Sequence, residues 1–234
     1  VGRGADHFDI EKFDADFAYT MDGDTEGEIQ YENFNAADAI FEIQGVNVHP
    51  GSAKDVMVNA ALVAMEINAA LPCGETPADT EDYEGFYHLV SMSGDVACAK
   101  LHYIVRDHDA DKFAARLETL KEISKQMNLK WGFGTVKLTI DEQYRNMAEI
   151  IEDGNMHLIE NAKKACAAAD VTPLILPIRG GTDGARLSFM GLPCPNLGTG
   201  GPGYHGPFEH ITAEGMDKAV DVMIELVKLY AEMK

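Results

Sequence analysis

The sequence predicts an α/β protein interrupted by an inserted α+β unit of the ferredoxin-like βαββαβ type, and three observations lead to this prediction. Alternating apolar residues mark strands around two helical patterns between residues 36 and 147. Short strand candidates precede this stretch, and helices alternate with strands after it. We therefore expect residues 1–35 and 148–234 to share one partial α/β domain, with residues 36–147 inserted as a second domain.

The inserted unit is predicted from its periodicities. Phe41 and Ile43 alternate with Glu42 and Gln44, which is the two-residue period of a half-buried strand. Two helices and three further strands complete the βαββαβ order, with both helices on one face of an antiparallel sheet. The helices carry Val56, Ala60, Val63 and Ile67 and then Phe113, Leu117, Leu120 and Met127; the strands lie near Phe86–Ser91 and Lys100–Arg106 and at Val136, Leu138 and Ile140.

The flanking segments supply the elements of the α/β domain. The run from Ala18 to Met21 is a predicted strand that ends in a turn at Asp22-Gly23. A buried strand is predicted at Leu174–Leu176, and a short helix and another strand follow. A last helix is predicted to begin near Thr212, with several apolar residues along one side. These residues are Met216, Ala219, Val220, Met223 and Val227.

Composition limits the classes of partner. The 234 residues carry a formal net charge of -20, which repels phosphate backbones and anionic membranes, so neither nucleic acid nor a membrane is an expected partner. No apolar run approaches the length of a bilayer span, and no basic-then-apolar leader opens the chain. Four widely spaced cysteines favour small buried side chains in a reducing cytoplasm over a zinc knuckle or a disulfide scaffold.

Two residues are candidate metal ligands. Asp22 ends a predicted buried strand, where position is fixed while the turn stays open, although the same residue also fits a simple Asx-type turn. His205 lies in the glycine loop 198–206, which allows a close approach to a metal; the alternative is an exposed loop histidine. The loop contains a literal G-x-G-x-x-G, but no helix opens at these glycines, so a dinucleotide site is rejected.

Three further residues are candidate substrate contacts. Arg179 precedes a Gly-Gly-Thr-Asp-Gly turn and could clamp a carboxylate with two parallel hydrogen bonds, or form an ordinary surface ion pair. In the same turn Asp183 could be merely a helix N-cap. His49 and Arg106 belong to the inserted unit, and solvent-exposed polarity is the alternative for both. No nucleophile elbow is present, and no cysteine has a neighbouring base in sequence.

Taken together, these segments resemble the tripeptide-cleaving peptidase T family of the M20 zinc peptidases. The resemblance extends from Val1 to Lys234 and rests on long motifs. These include Tyr19-Thr20-Met21-Asp22-Gly23, Glu32-Asn33-Phe34-Asn35-Ala36, Asn47-Val48-His49-Pro50-Gly51, Tyr103-Ile104-Val105-Arg106-Asp107 and Pro177-Ile178-Arg179-Gly180-Gly181-Thr182-Asp183-Gly184-Ala185.

The resemblance implies a cytoplasmic enzyme that removes the N-terminal residue of tripeptides with two zinc ions. By this likeness Asp22 would ligate one zinc ion and His205 the other. His49 and Arg106 would hold the substrate from a lid, which is the inserted domain, and Arg106 would pair with the peptide carboxylate. Arg179 and Asn33 are weaker candidates for substrate contacts. The lid would also allow homodimerisation through its sheet edge, in which case His49 would serve the partner's site.

The resemblance also places essential groups outside this chain. The His-x-Asp segment, the bridging aspartate and the paired glutamates, one of them the general base, are expected upstream of Val1. Because two ligands cannot hold a dinuclear site, the chain alone is expected to bind zinc weakly and to lack peptidase activity. The alternatives are another M20-type enzyme, either a dipeptidase or an N-acyl amino acid deacylase, and a non-catalytic interaction module.

Overall fold

The structure, a computed structural model, describes residues 4–233. The chain divides into two compact units. The first, called here the flanking unit, contains residues up to Phe34 and from Arg145 onwards, and the second, called the lid unit, contains Asn35–Tyr144. Each unit has its own hydrophobic core, so each is described by itself.

The lid unit is a four-stranded antiparallel sheet covered on one face by two helices. The strands lie in the order β4-β5-β3-β6, which is the order of the split βαβ arrangement, so the predicted βαββαβ fold of this unit is confirmed. Its elements are β3 (Asn35–Gln44), a 3-10 turn (Pro50–Ser52), α2 (Ala60–Ala69), β4 (Phe86–Gly94), β5 (Cys98–Asp107), α3 (Ala110–Trp131) and β6 (Val136–Tyr144).

The alternation that predicted these strands sets which face is buried. Phe41 on β3 lies opposite Leu101 on β5 and Leu138 on β6, and Phe41 meets the Tyr103 ring edge to face at a centroid distance of 6.1 Å. This apolar face packs against Leu120 of α3 and its helical neighbours. The opposite face carries polar side chains, including Asp38, His102 and Arg106, which have partial access to solvent.

The buried hydroxyl of Tyr103 gives the lid unit a predicted alkaline sensitivity. Tyr103 donates a 2.9 Å hydrogen bond to Oδ1 of Asn68, and burial raises the pKa of Tyr103 to about 12. The neutral phenol is therefore favoured by folding, and its contribution is complete below pH 10, the ordinary tyrosine pKa, and is lost as pH rises towards 12.

We expect Tyr103→Phe to lower stability at pH 8 by about 1 kcal/mol, the usual value of one hydrogen bond. Between pH 10 and 12 the variant should lose less stability than the parent chain, because it has no phenol to ionise. Urea unfolding followed by circular dichroism at each pH measures both quantities. Equal losses in the two proteins over this range would contradict the assignment.

The flanking unit contains a mixed four-stranded sheet in the order β1-β8-β2-β7. Strand β1 pairs in parallel with β8, β8 pairs antiparallel with β2, and β2 pairs in parallel with β7. Its elements are a 3-10 turn (Ala5–His7), α1 (Ile10–Phe13), β1 (Thr20–Gly23), β2 (Glu28–Gln30), α4 (Ala148–Glu152), α5 (Met156–Ala168), β7 (Leu174–Ile175), α6 (Asp183–Phe189), β8 (Asn196–Gly198) and α7 (Ala213–Glu232).

The core of the flanking unit lies around Ile29 of β2 and the inner face of α5. The buried side of α7 contributes Val222 and Leu226 to this core. Near the end of the helix, the hydroxyl of Tyr230 lies 2.8 Å from that of Tyr19, which in turn donates to the Leu158 carbonyl. Helix α7 is thus held against α5 along one side.

One prediction about burial in this unit is wrong, and the apolar side of its last helix is exposed. The strand at Leu174–Leu176 was expected to be buried, yet all three residues are exposed, because β7 is an outer strand paired with β2 alone. The apolar side predicted for the last helix is also largely open, since Val222 and Leu226 pack inward instead. Of that predicted set, four residues are among the exposed apolar side chains: Met216, Val220, Met223 and Val227.

The cysteines correct another expectation. Cys166 and Cys194 are buried, and burial raises the pKa of the Cys194 thiol to about 12. Cys73 and Cys98 are exposed, which differs from the prediction that every cysteine acts as a small buried side chain. No helix between residues 4 and 233 is both long enough and apolar enough to cross a bilayer.

Candidate metal centre and substrate-contact residues

Asp22 is held at the end of β1 by close backbone packing. Strand β1 runs beside β8, and the register shifts after Met21, so that Gly23 lies against Gly198. A Cβ at Gly23 would come within 2.9 Å of the Gly198 Cα, so a side chain at this position would force the strands apart. The preceding carboxylate of Asp22 is exposed beyond this tight contact, as predicted for a residue at a strand end.

Two titratable side chains influence the Asp22 carboxylate. Partial burial raises the pKa of Asp22, and the nearby carboxylate of Asp183 raises it further, whereas the imidazole of His205 acts in the opposite direction. Asp22 and His205 are 183 positions apart in the sequence, yet they are close enough to interact electrostatically. The described fold therefore places the two residues proposed as metal ligands within range of an electrostatic interaction, and the carboxylate of Asp183 is also within such range of Asp22.

Asp183 was missed as a member of this group. It was considered only as a possible N-cap, but Thr182 is the N-cap of α6, since its hydroxyl accepts a 3.1 Å hydrogen bond from the Ala185 amide. Asp183 is instead the first residue of α6. The sequence signal that could have identified Asp183 is a carboxylate at the start of a helix after an Arg-Gly-Gly turn. The proximity of Asp183 to Asp22, however, depends on tertiary packing, which this signal does not reveal.

The loop that carries His205 is anchored to the backbone of β1. The amide of Thr199 and the hydroxyls of Thr199 and Tyr204 all lie 2.7–3.0 Å from the Gly23 carbonyl oxygen. His205 has a left-handed φ of 60°, and its amide donates to Oε2 of Glu209 at 3.0 Å. The imidazole is therefore presented from an exposed turn whose base is fixed beside Asp22.

These residues fit part of a metal site. Carboxylate and imidazole are suitable zinc ligands, and a catalytic zinc ion generally takes three protein ligands and a water molecule. Within residues 4–233, no three histidine, cysteine, aspartate or glutamate side chains are arranged to hold a metal ion. Residues 4–233 thus supply an incomplete ligand set, and no catalytic step follows from the flanking unit alone.

The candidate substrate residue His49 occurs in the lid unit beyond the end of β3. It is exposed, and its Nδ1 accepts a 3.1 Å hydrogen bond from the Gly51 amide as the cap of the following 3-10 turn. Because Nδ1 is an acceptor, the neutral ring carries its proton on Nε2. His49 can therefore present a single hydrogen-bond donor to a ligand.

Arg106 lies near the other end of the lid sheet, on the face not covered by helices. Its Nη1 donates to the carbonyls of Ala37 and Val105, and the guanidinium group lies over the Tyr144 ring at 5.4 Å from the centroid. Burial raises the pKa of the Tyr144 hydroxyl, and the positive charge of Arg106 acts against this increase. These contacts orient a fixed cation across strands β3, β5 and β6.

The structure gives Asn33 a role different from the predicted substrate contact. Asn33 is completely buried, and its amide group donates to the carbonyls of Phe34 and Arg145 and accepts from the Met147 amide. It therefore ties together the segments at which the chain leaves and re-enters the flanking unit. Arg179 remains exposed, with its guanidinium 5.2 Å from the centre of the Phe34 ring.

Comparison with known proteins identifies the fold of this chain. The peptidase dimerisation domain of the M20 family matches residues 31–132. Two solved structures share the fold at 24% and 18% identity, with TM-scores of 0.83 and 0.82. They are an aminopeptidase PepT from Bacillus cereus and a tripeptidase from Staphylococcus aureus, and the match covers 98% and 97% of this chain and 61% and 60% of theirs. The fold is that of an M20 peptidase.

Sequence comparison finds relatives that are more similar to this chain than the solved structures are. Peptidase T of Clostridium perfringens is 54% identical over 232 residues, which cover 99% of this chain and 57% of the relative. The chain is therefore similar to peptidase T over nearly its whole length. It spans less than two thirds of the length of the relatives it matches, so part of their structure has no counterpart here.

A further solved structure shares the fold. A Bacillus subtilis protein described as a dinuclear metal-binding peptidase of the M20 family matches with a TM-score of 0.61 at 14% identity. The alignment covers 92% of this chain and 56% of that one.

Proposed function

We propose that this chain is part of a cytoplasmic, zinc-dependent aminopeptidase that releases the N-terminal residue of tripeptides. The proximity of Asp22 and His205 in the fold carries this proposal, together with 54% identity to a peptidase T. In the proposed enzyme each of the two side chains ligates one of two zinc ions. The remaining ligands and the general base come from the part of the relatives that has no counterpart in this chain.

Arg106 is proposed to bind the carboxylate of the peptide. Its guanidinium is already oriented by two carbonyls and an aromatic ring, so little conformational freedom remains to be lost when a ligand binds. Arg179 is proposed as a second cationic contact in the flanking unit. Asn33 is excluded from this set because its buried amide already bonds the backbone.

His49 is proposed to act in the site of a partner subunit. Arg106 pairs with Ala36 near one end of β3, whereas His49 comes after Gln44 at the other end. Eight residues of extended strand span roughly 27 Å, but an extended tripeptide spans only about 10 Å. This separation favours two chains sharing each site, and the match to a dimerisation domain supports a homodimer.

An outer strand of the lid sheet offers a surface for this dimer. Strand β4 pairs with β5 on one side only, and both Val90 and Met92 are about half exposed on it. An unpaired strand edge with exposed apolar side chains readily accepts a strand from a second copy. Pairing β4 with its symmetry mate would build a continuous sheet across the two lid units.

Shared sites predict complementation between two inactive variants. The test uses a completed enzyme, defined here as these 234 residues joined to the part of the Clostridium perfringens relative that lies outside the aligned region. His49→Ala and Arg106→Ala should each be nearly inactive alone. In a mixed dimer one site keeps both native residues, so random mixing should restore about a quarter of the parent activity.

The readout is tripeptide hydrolysis after the two purified variants are unfolded together and refolded. A mixture of His49→Ala with itself serves as the control and should stay inactive. If the mixed sample gains no activity although mass spectrometry detects mixed dimers, each site uses both residues from a single chain. In that case the proposed sharing is wrong.

The proposed activity is tested by comparing substrates. The isolated chain and the completed enzyme are incubated with Zn²⁺ and trialanine, dialanine or N-acetylalanine, and released amino acid is quantified. We expect the completed enzyme to cleave the tripeptide fastest and the isolated chain to be inactive. No three candidate ligands are grouped to hold a metal ion within residues 4–233, and the general base is proposed to lie outside the chain. Robust zinc-dependent turnover by the isolated chain would refute the proposal that the remaining ligands and the general base lie outside it.

The substrate comparison also separates the alternatives. Preference for N-acetylalanine would indicate a deacylase, and preference for dialanine a dipeptidase. No hydrolysis by a folded, metal-loaded completed enzyme would favour a non-catalytic interaction module. The 54% identity to peptidase T favours the tripeptide.

A further inference from the structure

Helix α7 (Ala213–Glu232) is apolar on two sides but is packed on only one of them in the described part of the chain. Val222 and Leu226 are buried against the core of the flanking unit. A second row of apolar side chains is between 37% and 69% exposed. This row, called here the α7 stripe, consists of Met216, Val220, Met223, Ile224 and Val227.

The α7 stripe is continuous and distinct from the packed side. Met216, Val220, Met223 and Val227 follow the i, i+4, i+7, i+11 spacing that places residues along one line of a helix. At 100° per residue, this line lies about 110° around the helix from the row formed by Val222 and Leu226. Charged residues occupy the remaining third of the circumference: Glu214, Asp217, Lys218, Asp221, Glu225, Lys228 and Glu232.

Such a distribution is unusual for a helix with solvent on one whole side. Single exposed apolar residues are normal at protein surfaces, but a contiguous row marks a surface that contacts another structure. A surface helix needs one apolar stripe, whereas a helix that is packed on two sides needs two. The amino-acid pattern of α7 is thus that of a helix with two partners, of which the described chain provides one.

Strand β7 shows a second incomplete surface in the same unit. Leu174 and Ile175 point to opposite faces of the sheet, yet both are more than a third exposed. The inner strands β2 and β8, by contrast, are buried at every residue. Strands with aliphatic residues on both faces belong in sheets that are covered on both sides.

The relatives indicate what would cover these surfaces. About two fifths of the length of the Clostridium perfringens peptidase T lies outside the region aligned with this chain. Resting on the proposed function, we propose that the α7 stripe is the docking surface for a helix of that additional part. The spacing of the stripe along 20 residues fits a helix laid lengthwise across it, because residues in i±4 and i±3 rows interlock with those of a second helix.

Two methionines of the stripe make the proposal measurable without any activity assay. Met216 and Met223 are exposed in the isolated chain, and Met65 in the lid unit is exposed as well. Peroxide oxidation of each methionine is followed by peptide mass spectrometry in the isolated chain and in the completed enzyme. We expect Met216 and Met223 to react about tenfold more slowly in the completed enzyme, because exposure governs susceptibility, while Met65 changes less than about twofold.

Unchanged oxidation of Met216 and Met223 in the folded completed enzyme would overturn the proposal. Protection that appears in the isolated chain as its concentration rises, together with a dimer in sedimentation, would show that a second copy covers the stripe and would also overturn it. If the joined chain does not fold, the additional part is co-expressed with these 234 residues as a separate tagged chain. Co-purification of the parent chain then supports the proposal, and its absence refutes it.

Variants locate the docking surface. Val220→Asp and Val227→Asp should reduce co-purification at least about tenfold, because each places a charge in the interface. Leu129→Asp is the matched control, since Leu129 is an exposed apolar residue on α3 of the lid unit and should leave co-purification unchanged. Equal co-purification of all three variants would contradict the location. The completed enzyme could also protect the α7 stripe from oxidation and yet cleave no tripeptide. That result would refute the proposed function but would still support the docking surface.

Discussion

Asp22→Asn in the completed enzyme is expected to lower kcat/KM for a tripeptide by at least about a hundredfold, because loss of even a residue that only supports a metal ligand costs 10- to 100-fold. The substitution keeps the shape of the side chain but removes the negative charge that the proposed zinc site requires. Zinc content after gel filtration should fall in parallel with activity. His205→Ala should behave in the same way.

Asp153→Asn provides the matched control for this result. Asp153 is an exposed carboxylate of the flanking unit, located directly after α4. This variant should retain the metal content and the activity of the parent enzyme. If Asp22→Asn retains both as well, Asp22 forms only a turn at the end of β1, and the proposed metal centre is wrong.

Arg116→Met is expected to destabilise the lid unit by about 3–5 kcal/mol, the cost of breaking a buried ion pair by removing one partner. Nε of Arg116 donates to Oδ2 of Asp107 at 2.8 Å, and its Nη1 pairs with Glu75. The guanidinium also lies over the Tyr87 ring, 5.1 Å from the centroid. The side chain of Asp107 is only 1% exposed, so it would keep a buried charge without its cation.

Intrinsic fluorescence isolates this effect in the lid unit. Trp131, at the end of α3, is the single tryptophan of the sequence, so its signal in urea reports the unfolding of this unit. Lys121→Met, on the exposed side of the same helix, should change stability by less than about 0.5 kcal/mol. If Arg116→Met is as mild as this control, the charge of Asp107 is compensated in another way.

A second substitution tests the cause of the loss. In Asp107→Asn combined with Arg116→Met, the buried charge is absent, while the amide oxygen can still accept the bond now donated by the Asp109 amide. The double variant should therefore be more stable than the sum of the two single losses by at least about 1 kcal/mol. Strict additivity would show that the ion pair has no energetic coupling.

The lid fold was predictable because its strands and helices find their partners within a single continuous segment. Phe41 and Ile43 alternate with polar residues, and in the structure this alternation separates the helix-covered face from the open face. The position of Asp22 at a strand end was also predictable, since it depends on a local pattern of apolar residues followed by Asp-Gly. In both cases the physical cause lies within a few residues of its effect.

Burial in the flanking unit was not predictable in the same way. Periodicity shows that Leu174–Leu176 and the last helix carry apolar sides, but it does not show whether a partner for each side is present. The electrostatic interaction between Asp183 and Asp22 was not predictable from the sequence for a different reason. It arises from the arrangement of α6 relative to β1, which depends on the pairing of β1 with β8.

The anchoring of the His205 loop has a consequence for engineering this site. The loop is fastened to main-chain oxygens, with the amides of Gly200 and Gly201 bound to the Asp24 carbonyl and Thr199 and Tyr204 gathered at that of Gly23. None of these contacts uses the carboxylate of Asp22 or the ring of His205. The two proposed ligands can therefore be exchanged to test their effect on metal preference while the scaffold that presents them stays intact.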